Sequence, residues 1–153
     1  GLIHEGIFVD MARTIPVGLV GKKALELISA TKESLDAGIL SAKSGGHVGD
    51  IGEAIESVAK HYKLGVIREL GGHGVGRAVH EEPYIANFGK AGVGEKLKDG
   101  MVLALEPMFT LGSSAVRLQS DGYTFKTSDG SLSAHFEHTI IIRKDGGEIV
   151  TKK

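Results

Sequence analysis

Between Leu70 and Tyr84 the chain reads Gly71-Gly72-His73-Gly74-Val75-Gly76-Arg77-Ala78-Val79-His80-Glu81-Glu82-Pro83, two histidines seven residues apart with four glycines in the first six positions. Glycine costs a helix backbone entropy and lets another backbone approach closely. A helix therefore does not run through this segment, and both histidines are expected on loop or strand. Paired imidazoles on such a backbone suit ligand binding better than core packing. Glycine is abundant elsewhere too, 23 of 153 residues, against a usual share of about 7%. These glycines are dispersed, as in a mixed fold with many tight connections.

Around that segment the apolar pattern alternates between strand and helix. Leu2, Ile3, Ile7, Phe8 and Val9 flank His4-Glu5-Gly6 in the manner of a β-hairpin whose second strand carries Asp10. From Gly21 to about Ala42, Ala24, Leu25, Ile28, Leu35 and Ile39 recur largely at helical spacing, interrupted by Thr31 and Lys32. A second helix is expected to start at Asp50, with Glu53 closing a capping box, and to stop at Gly65. Gly65 to Leu70 then reads as a short strand. Further strands are predicted over Met101 to Phe109, Ala115 to Leu118, Gly122 to Lys126 and His135 to Ile142.

With 153 residues and a net charge of −1, the chain suits one α/β domain over residues 1–153 and carries no field that would draw nucleic acid or an anionic membrane. No cysteine is present, which removes disulfides, thiol nucleophiles and Cys-ligated zinc and leaves His, Asp and Glu as the metal-binding types. No apolar run reaches the roughly 20 residues of a membrane span, and no signal peptide is visible. A soluble, cytoplasmic protein is expected.

Two strands carry an anomaly. Glu106 interrupts the apolar run Met101 to Phe109, and Glu137 lies beside Thr139-Ile140-Ile141-Ile142, on the strand face of His135 and Thr139 and opposite His138. An unpaired buried carboxylate costs several kcal/mol, so each must be protonated, paired or metal-bound. Asp10, His73, Glu106 and Glu137 come from four separate strand-like segments. One imidazole with three carboxylates suits a hard or borderline divalent ion. Blander readings compete: Asp10 paired with Arg13, His73 bonded to backbone in a turn, Glu106 and Glu137 in ion pairs with Arg or Lys. His47 and His61 read as solvated surface groups, and Glu81-Glu82 as an exposed acidic turn.

The run Gly72-His73-Gly74-Val75-Gly76 to His80-Glu81-Glu82-Pro83, then Leu105-Glu106-Pro107-Met108, then Ser131-Leu132-Ser133-Ala134-His135-Phe136-Glu137-His138-Thr139, resembles the type I methionine aminopeptidases. Val9-Asp10-Met11-Ala12-Arg13-Thr14 resembles the surroundings of that family's second metal-binding aspartate. The resemblance covers nearly the whole chain and implies the C-terminal portion of a pita-bread fold, with antiparallel sheet and flanking helices. It implies two divalent ions, drawn from Co, Mn, Fe or Zn, with Asp10, His73, Glu106 and Glu137 as ligands and Glu137 bridging. A metal-bridged water would attack the carbonyl after an N-terminal methionine of a peptide or nascent protein, with Glu106 as general base. His80 would bind substrate and stabilise the tetrahedral intermediate, and Val79 and Tyr123 would line the methionine pocket.

The chain departs from the family pattern at three places. Val79 and Tyr123 stand where Phe and Trp are common, and His135 stands where Gln is expected, a change that bears on the surroundings of the ligands. The family's first metal-binding aspartate would precede Gly1, so an N-terminal portion of the same enzyme is an expected partner. Two other readings stay open: an Xaa-Pro aminopeptidase or prolidase of the same fold, and a pita-bread binding module without catalysis.

Overall fold

The computed structural model describes residues 1–152. Strands β1 (Leu2–His4) and β2 (Ile7–Val9) form the expected hairpin. Its turn residues Glu5 and Gly6 have φ of 49° and 79°, the left-handed pair that matches strand twist in a two-residue hairpin. Asp10 falls just beyond β2 and not within it, at the boundary with β3 (Met11–Arg13). Helix α1 (Lys22–Ser41) runs through the predicted region. Thr31 interrupts the apolar pattern without breaking the helix, because its buried hydroxyl donates to the Leu27 carbonyl at 2.7 Å.

Helix α2 (Val48–Tyr62) starts earlier than predicted. Its N-cap is His47, half-buried, and Asp50 sits in the first turn, where its carboxylate accepts the His47 N–H at 2.8 Å. The capping box is thus His47 with Asp50, not Asp50 with Glu53. The N–H groups of His47 and Gly92 hold the Asp50 carboxyl below its usual range. The helix ends on Lys63 in left-handed conformation, φ 56°, two residues before the glycine expected to stop it.

The remaining chain is mostly strand: β4 (Gly65–Val66), β5 (Gly72–Gly74), β6 (Glu81–Ile85), β7 (Val102–Leu105), β8 (Met108–Thr110), β9 (Val116–Leu118), β10 (Phe125–Thr127), β11 (Ser133–Arg143) and β12 (Gly146–Ile149). The strand predicted from Gly65 is only two residues long, and Glu81-Glu82 opens β6 instead of forming a turn. β9 and β10 form a separate hairpin. An eight-stranded sheet has the order β4-β8-β11-β7-β5-β6, with β3 and β12 also paired to β11. These ladders are antiparallel.

The eleven-residue β11 organises the sheet. Phe136, Ile140 and Ile142 join Leu27, Leu35, Ile39, Ile51, Ile55, Leu103, Leu105 and Phe109 in one core between sheet and helices. The two helices approach closely at Gly38, where a Cβ would lie 3.0 Å from Ile55 Cγ1. Alternation along β11 sends Glu137 and Thr139 to the other face, away from that core.

Candidate metal centre

Sheet register assembles the site. His73 of β5 pairs with Ala104 of β7, Ala104 pairs with Thr139 of β11, and Asp10 continues the β3–β11 register to Thr139. The Asp10 N–H donates to Thr139 Oγ1 at 2.8 Å, and the Thr139 hydroxyl donates to the Asp10 carbonyl at 2.8 Å. Asp10, Thr139, Ala104 and His73 therefore form a row across four strands, with small side chains between the two polar ends.

The next row holds the carboxylates. The segment Met101 to Phe109 is two strands, not the single one predicted, because Pro107 has no N–H to give to a ladder. The register nevertheless survives the interruption. β7 and β8 pair with β11 in the same alignment on either side of Glu106-Pro107, as Ala104 with Thr139 and Met108 with His135. Glu106 consequently faces Glu137, and Ala12 stands opposite Glu137 on the other flank. In the third row His135 faces Met108, and its backbone is pinned by Thr14: the His135 N–H donates to Thr14 Oγ1 at 2.9 Å, and that hydroxyl donates to the His135 carbonyl at 3.0 Å.

Glycine makes the His73 row possible. A Cβ on Gly72 would collide with the Ala104 carbonyl oxygen, and one on Gly74 with the Glu82 carbonyl oxygen. The Nδ1 of His73 meets the Gly74 carbonyl at 2.9 Å; with the proton on Nδ1 as donor, Nε2 is a free lone pair for a cation. That Nε2 lies 3.6 Å from Glu106 Oε1, while Glu106 Oε2 lies 3.2 Å from His135 Nε2.

Two groups of ligand atoms result. Those of Asp10, His73 and Glu137 lie within 4.8 Å of one another, and so do those of Glu106, His135 and Glu137. Glu137 belongs to both. Among the described residues neither Glu106 nor Glu137 pairs with a lysine or arginine, so the reading of these two carboxylates as ion pairs with Arg or Lys is not met; the nitrogens nearest Glu106 are those of His73 and His135. Burial, then the charges of Glu106 and Asp10, push the Glu137 carboxyl up to about 8. Clustered carboxylates beside imidazole nitrogens form a donor set that fits divalent cations.

The site opens into a cavity of about 780 Å³. His73, Glu106 and His135 form part of its lining, with Leu70, Met108 and Phe125 as apolar wall. His80 is exposed at the mouth, its ring edge-on to His73 with centroids 4.4 Å apart. Val79 and Tyr123 are not among the lining residues. Tyr123 is 89% exposed at the tip of the β9–β10 hairpin, whereas Phe125 on β10 and Tyr84 on β6 reach the cavity. Burial and the charge of Glu106 raise the Tyr84 phenol above its usual value. Sequence reasoning missed Tyr84, whose position next to Pro83 carried no chemical signal.

The sequence profile of metallopeptidase family M24 matches residues 1–144. Curated methionine aminopeptidases of Clostridium acetobutylicum and Treponema pallidum are 42% and 44% identical over 99% of this chain. The chain spans about 60% of the length of each. The crystal structure of a Thermotoga maritima methionine aminopeptidase superposes with a TM-score of 0.95 at 42% identity, covering 99% of this chain and 61% of that one. A Pyrococcus furiosus prolidase superposes at 0.76 with 24% identity, covering 99% of this chain and 39% of its own, which speaks to the fold alone.

Proposed function

This chain belongs to metallopeptidase family M24 and has its pita-bread fold, and we propose that it forms the catalytic part of an aminopeptidase removing N-terminal methionine from peptides and nascent proteins. The observation that carries the reading is the sharing of Glu137 between two ligand groups with no side-chain cation to neutralise it. Two divalent ions from the Mn, Fe, Co and Zn group are the proposed cofactors, held by Asp10, His73, Glu106 and Glu137. Bound there, such ions would supply Lewis acidity toward the scissile carbonyl and water acidified enough to attack it near neutral pH.

The chain's own groups divide the remaining work. Glu106 takes the proton of the attacking water, since its carboxylate lies at the edge of the cavity between two imidazoles. His80, exposed at the mouth and not in either ligand group, donates to the carbonyl oxygen as negative charge develops on it. Leu70, Met108 and Phe125 give the methionine side chain an apolar wall, a role that falls to them more readily than to Val79 or Tyr123. A cytoplasmic setting agrees with the absence of cysteine; among the described residues no helix is long and apolar enough to cross a membrane.

The names and identity levels of the relatives favour methionine over proline specificity, as does Glu106-Pro107-Met108. The test is a paired assay of the full-length, metal-loaded protein on Met-Ala-containing and Xaa-Pro peptides. Release of methionine is expected; a preference for Xaa-Pro would overturn the specificity, and absence of bound metal would favour the non-catalytic module.

A further inference from the structure

We propose that the Tyr84 hydroxyl is a specificity-determining donor that binds the main-chain carbonyl of the residue following the substrate's N-terminal methionine, so that the cavity recognises a continuing peptide and not a methionyl group alone. The proposal rests on the aminopeptidase reading above and assigns part of the substrate to a residue outside the motifs.

Three observations carry it. First, strand geometry turns Tyr84 toward the cavity. Pro83 and Ile85 on either side of it are buried in β6, whereas Tyr84 is 49% exposed and lines the cavity with Glu82, two residues away on the same strand face. Second, the phenol has a fitted seat. A Cβ on Gly71 would lie 2.7 Å from the Tyr84 hydroxyl oxygen and 2.9 Å from the ring carbon that bears it, so glycine there lets the tip of the ring rest on backbone. Extending the β5–β7 register by two residues sets Gly71 opposite Glu106, and Asn87, three positions beyond Tyr84, donates through Nδ2 to the Glu106 carbonyl at 3.1 Å. The hydroxyl is thus held on the Glu106 side of the cavity.

Third, an inventory of donors leaves this one unassigned. The side chains of the cavity lining that can donate are His73, His80, Tyr84 and His135. The Nε2 atoms of His73 and His135 face Glu106 at 3.6 and 3.2 Å, and His80 serves the scissile carbonyl. Ionised Glu81 and Glu82 only accept, and Glu81 already accepts the Ala78 N–H at 2.7 Å. The Tyr84 hydroxyl bonds to none of the described residues.

The chemistry of a peptide supplies the match. With the methionine side chain on Leu70, Met108 and Phe125 and its carbonyl between Glu106 and His80, the next residue leaves along the half-exposed side of the cavity, where Tyr84 stands. The carbonyl of that residue is stripped of water against the wall. Left unpaired it would weaken binding, and a phenol donor offsets the loss.

The test is a cycle of two proteins and two substrates, using the full-length, metal-loaded protein and its Tyr84→Phe variant. Methionyl-alanine amide carries the carbonyl in question. Methionyl isopropylamide has the same scissile bond and branching, with a methyl in place of the carbonyl-bearing group. For the alanine amide the variant should lose about three- to tenfold in kcat/KM, the range of one neutral hydrogen bond, and for the isopropylamide less than about twofold. Equal losses on both substrates overturn the proposal, since the phenol would then act on Glu106 or on the fold and not on the second residue. No loss on either overturns it as well. A parent protein that cleaves neither substrate overturns the aminopeptidase reading itself, an outcome distinct from the other two because both of those require an active parent.

Discussion

His73 and His80 stand seven positions apart with rings in edge contact, yet they occupy different environments. His73 is buried, with Nδ1 at the Gly74 carbonyl and Nε2 toward the carboxylates, while His80 is exposed and belongs to no ligand group. Substituting them should therefore break different things. His80→Ala is expected to lower turnover about 100-fold or more, as for loss of one oxyanion donor, with metal content nearly unchanged by elemental analysis. Metal loss in that variant would place His80 among the ligands. Glu137→Ala removes the one carboxylate common to both groups, so the variant should no longer hold two ions together. Two tightly bound ions in a calorimetric titration would contradict the shared role.

At the scale of the element, β5 and the broken strand β7–β8 do most to shape the site. Gly72 is pressed against Ala104, and a Cβ would meet backbone, which has nowhere to retreat. Gly72→Ala should destabilise the fold by about 2 kcal/mol and weaken metal binding together, because separating β5 from β7 moves His73. Thermal unfolding and metal titration check both; full metal affinity in a destabilised variant would mean that the β5–β7 contact does not position the ligand. The glycines were legible as a barrier to helix, and the apolar run with Glu106 as a strand. What one-dimensional reading lost was the interruption at Pro107 and its lack of consequence for register, since continuity there comes from β11 pairing with both pieces. The start of α2 was misplaced for a related reason: His47 is a poor N-cap by residue type, but Asp50 reaches back to its N–H from the first turn.

Across the whole molecule, the site is a charge problem that the bare fold leaves unsolved. Glu137 ionises near 4.5 when unfolded and is pushed up to about 8 in the folded, metal-free chain, through burial first and then Glu106 and Asp10. Between those values the unfolded state releases its proton while the folded state retains it. The associated stability is present in full below about pH 4.5 and is lost as pH rises through about 8, a change on the order of a few kcal/mol. Denaturant unfolding of metal-free protein at pH 5 and pH 8 should show this loss if other contributions are matched by a Glu137→Gln control. A divalent ion should restore stability most at the higher pH, where it displaces a proton at least cost. An identical pH response in the control would remove Glu137 as the source.

The sequence by itself determined the ligand types, the segments that carry them and the glycine-framed histidine turn, because these depend on residue chemistry and local backbone preference. Tertiary structure decided which of those groups meet. Antiparallel register, a property of pairs of strands distant in the chain, put Asp10 in line with His73, set Glu106 against Glu137 and brought His135 Nε2 to 3.2 Å from the Glu106 carboxylate. It also left Tyr123 in solvent at the tip of its hairpin and gave the cavity wall to Phe125 and Tyr84, since a side chain's distance from a site is fixed by how strands pack and not by its place in a motif.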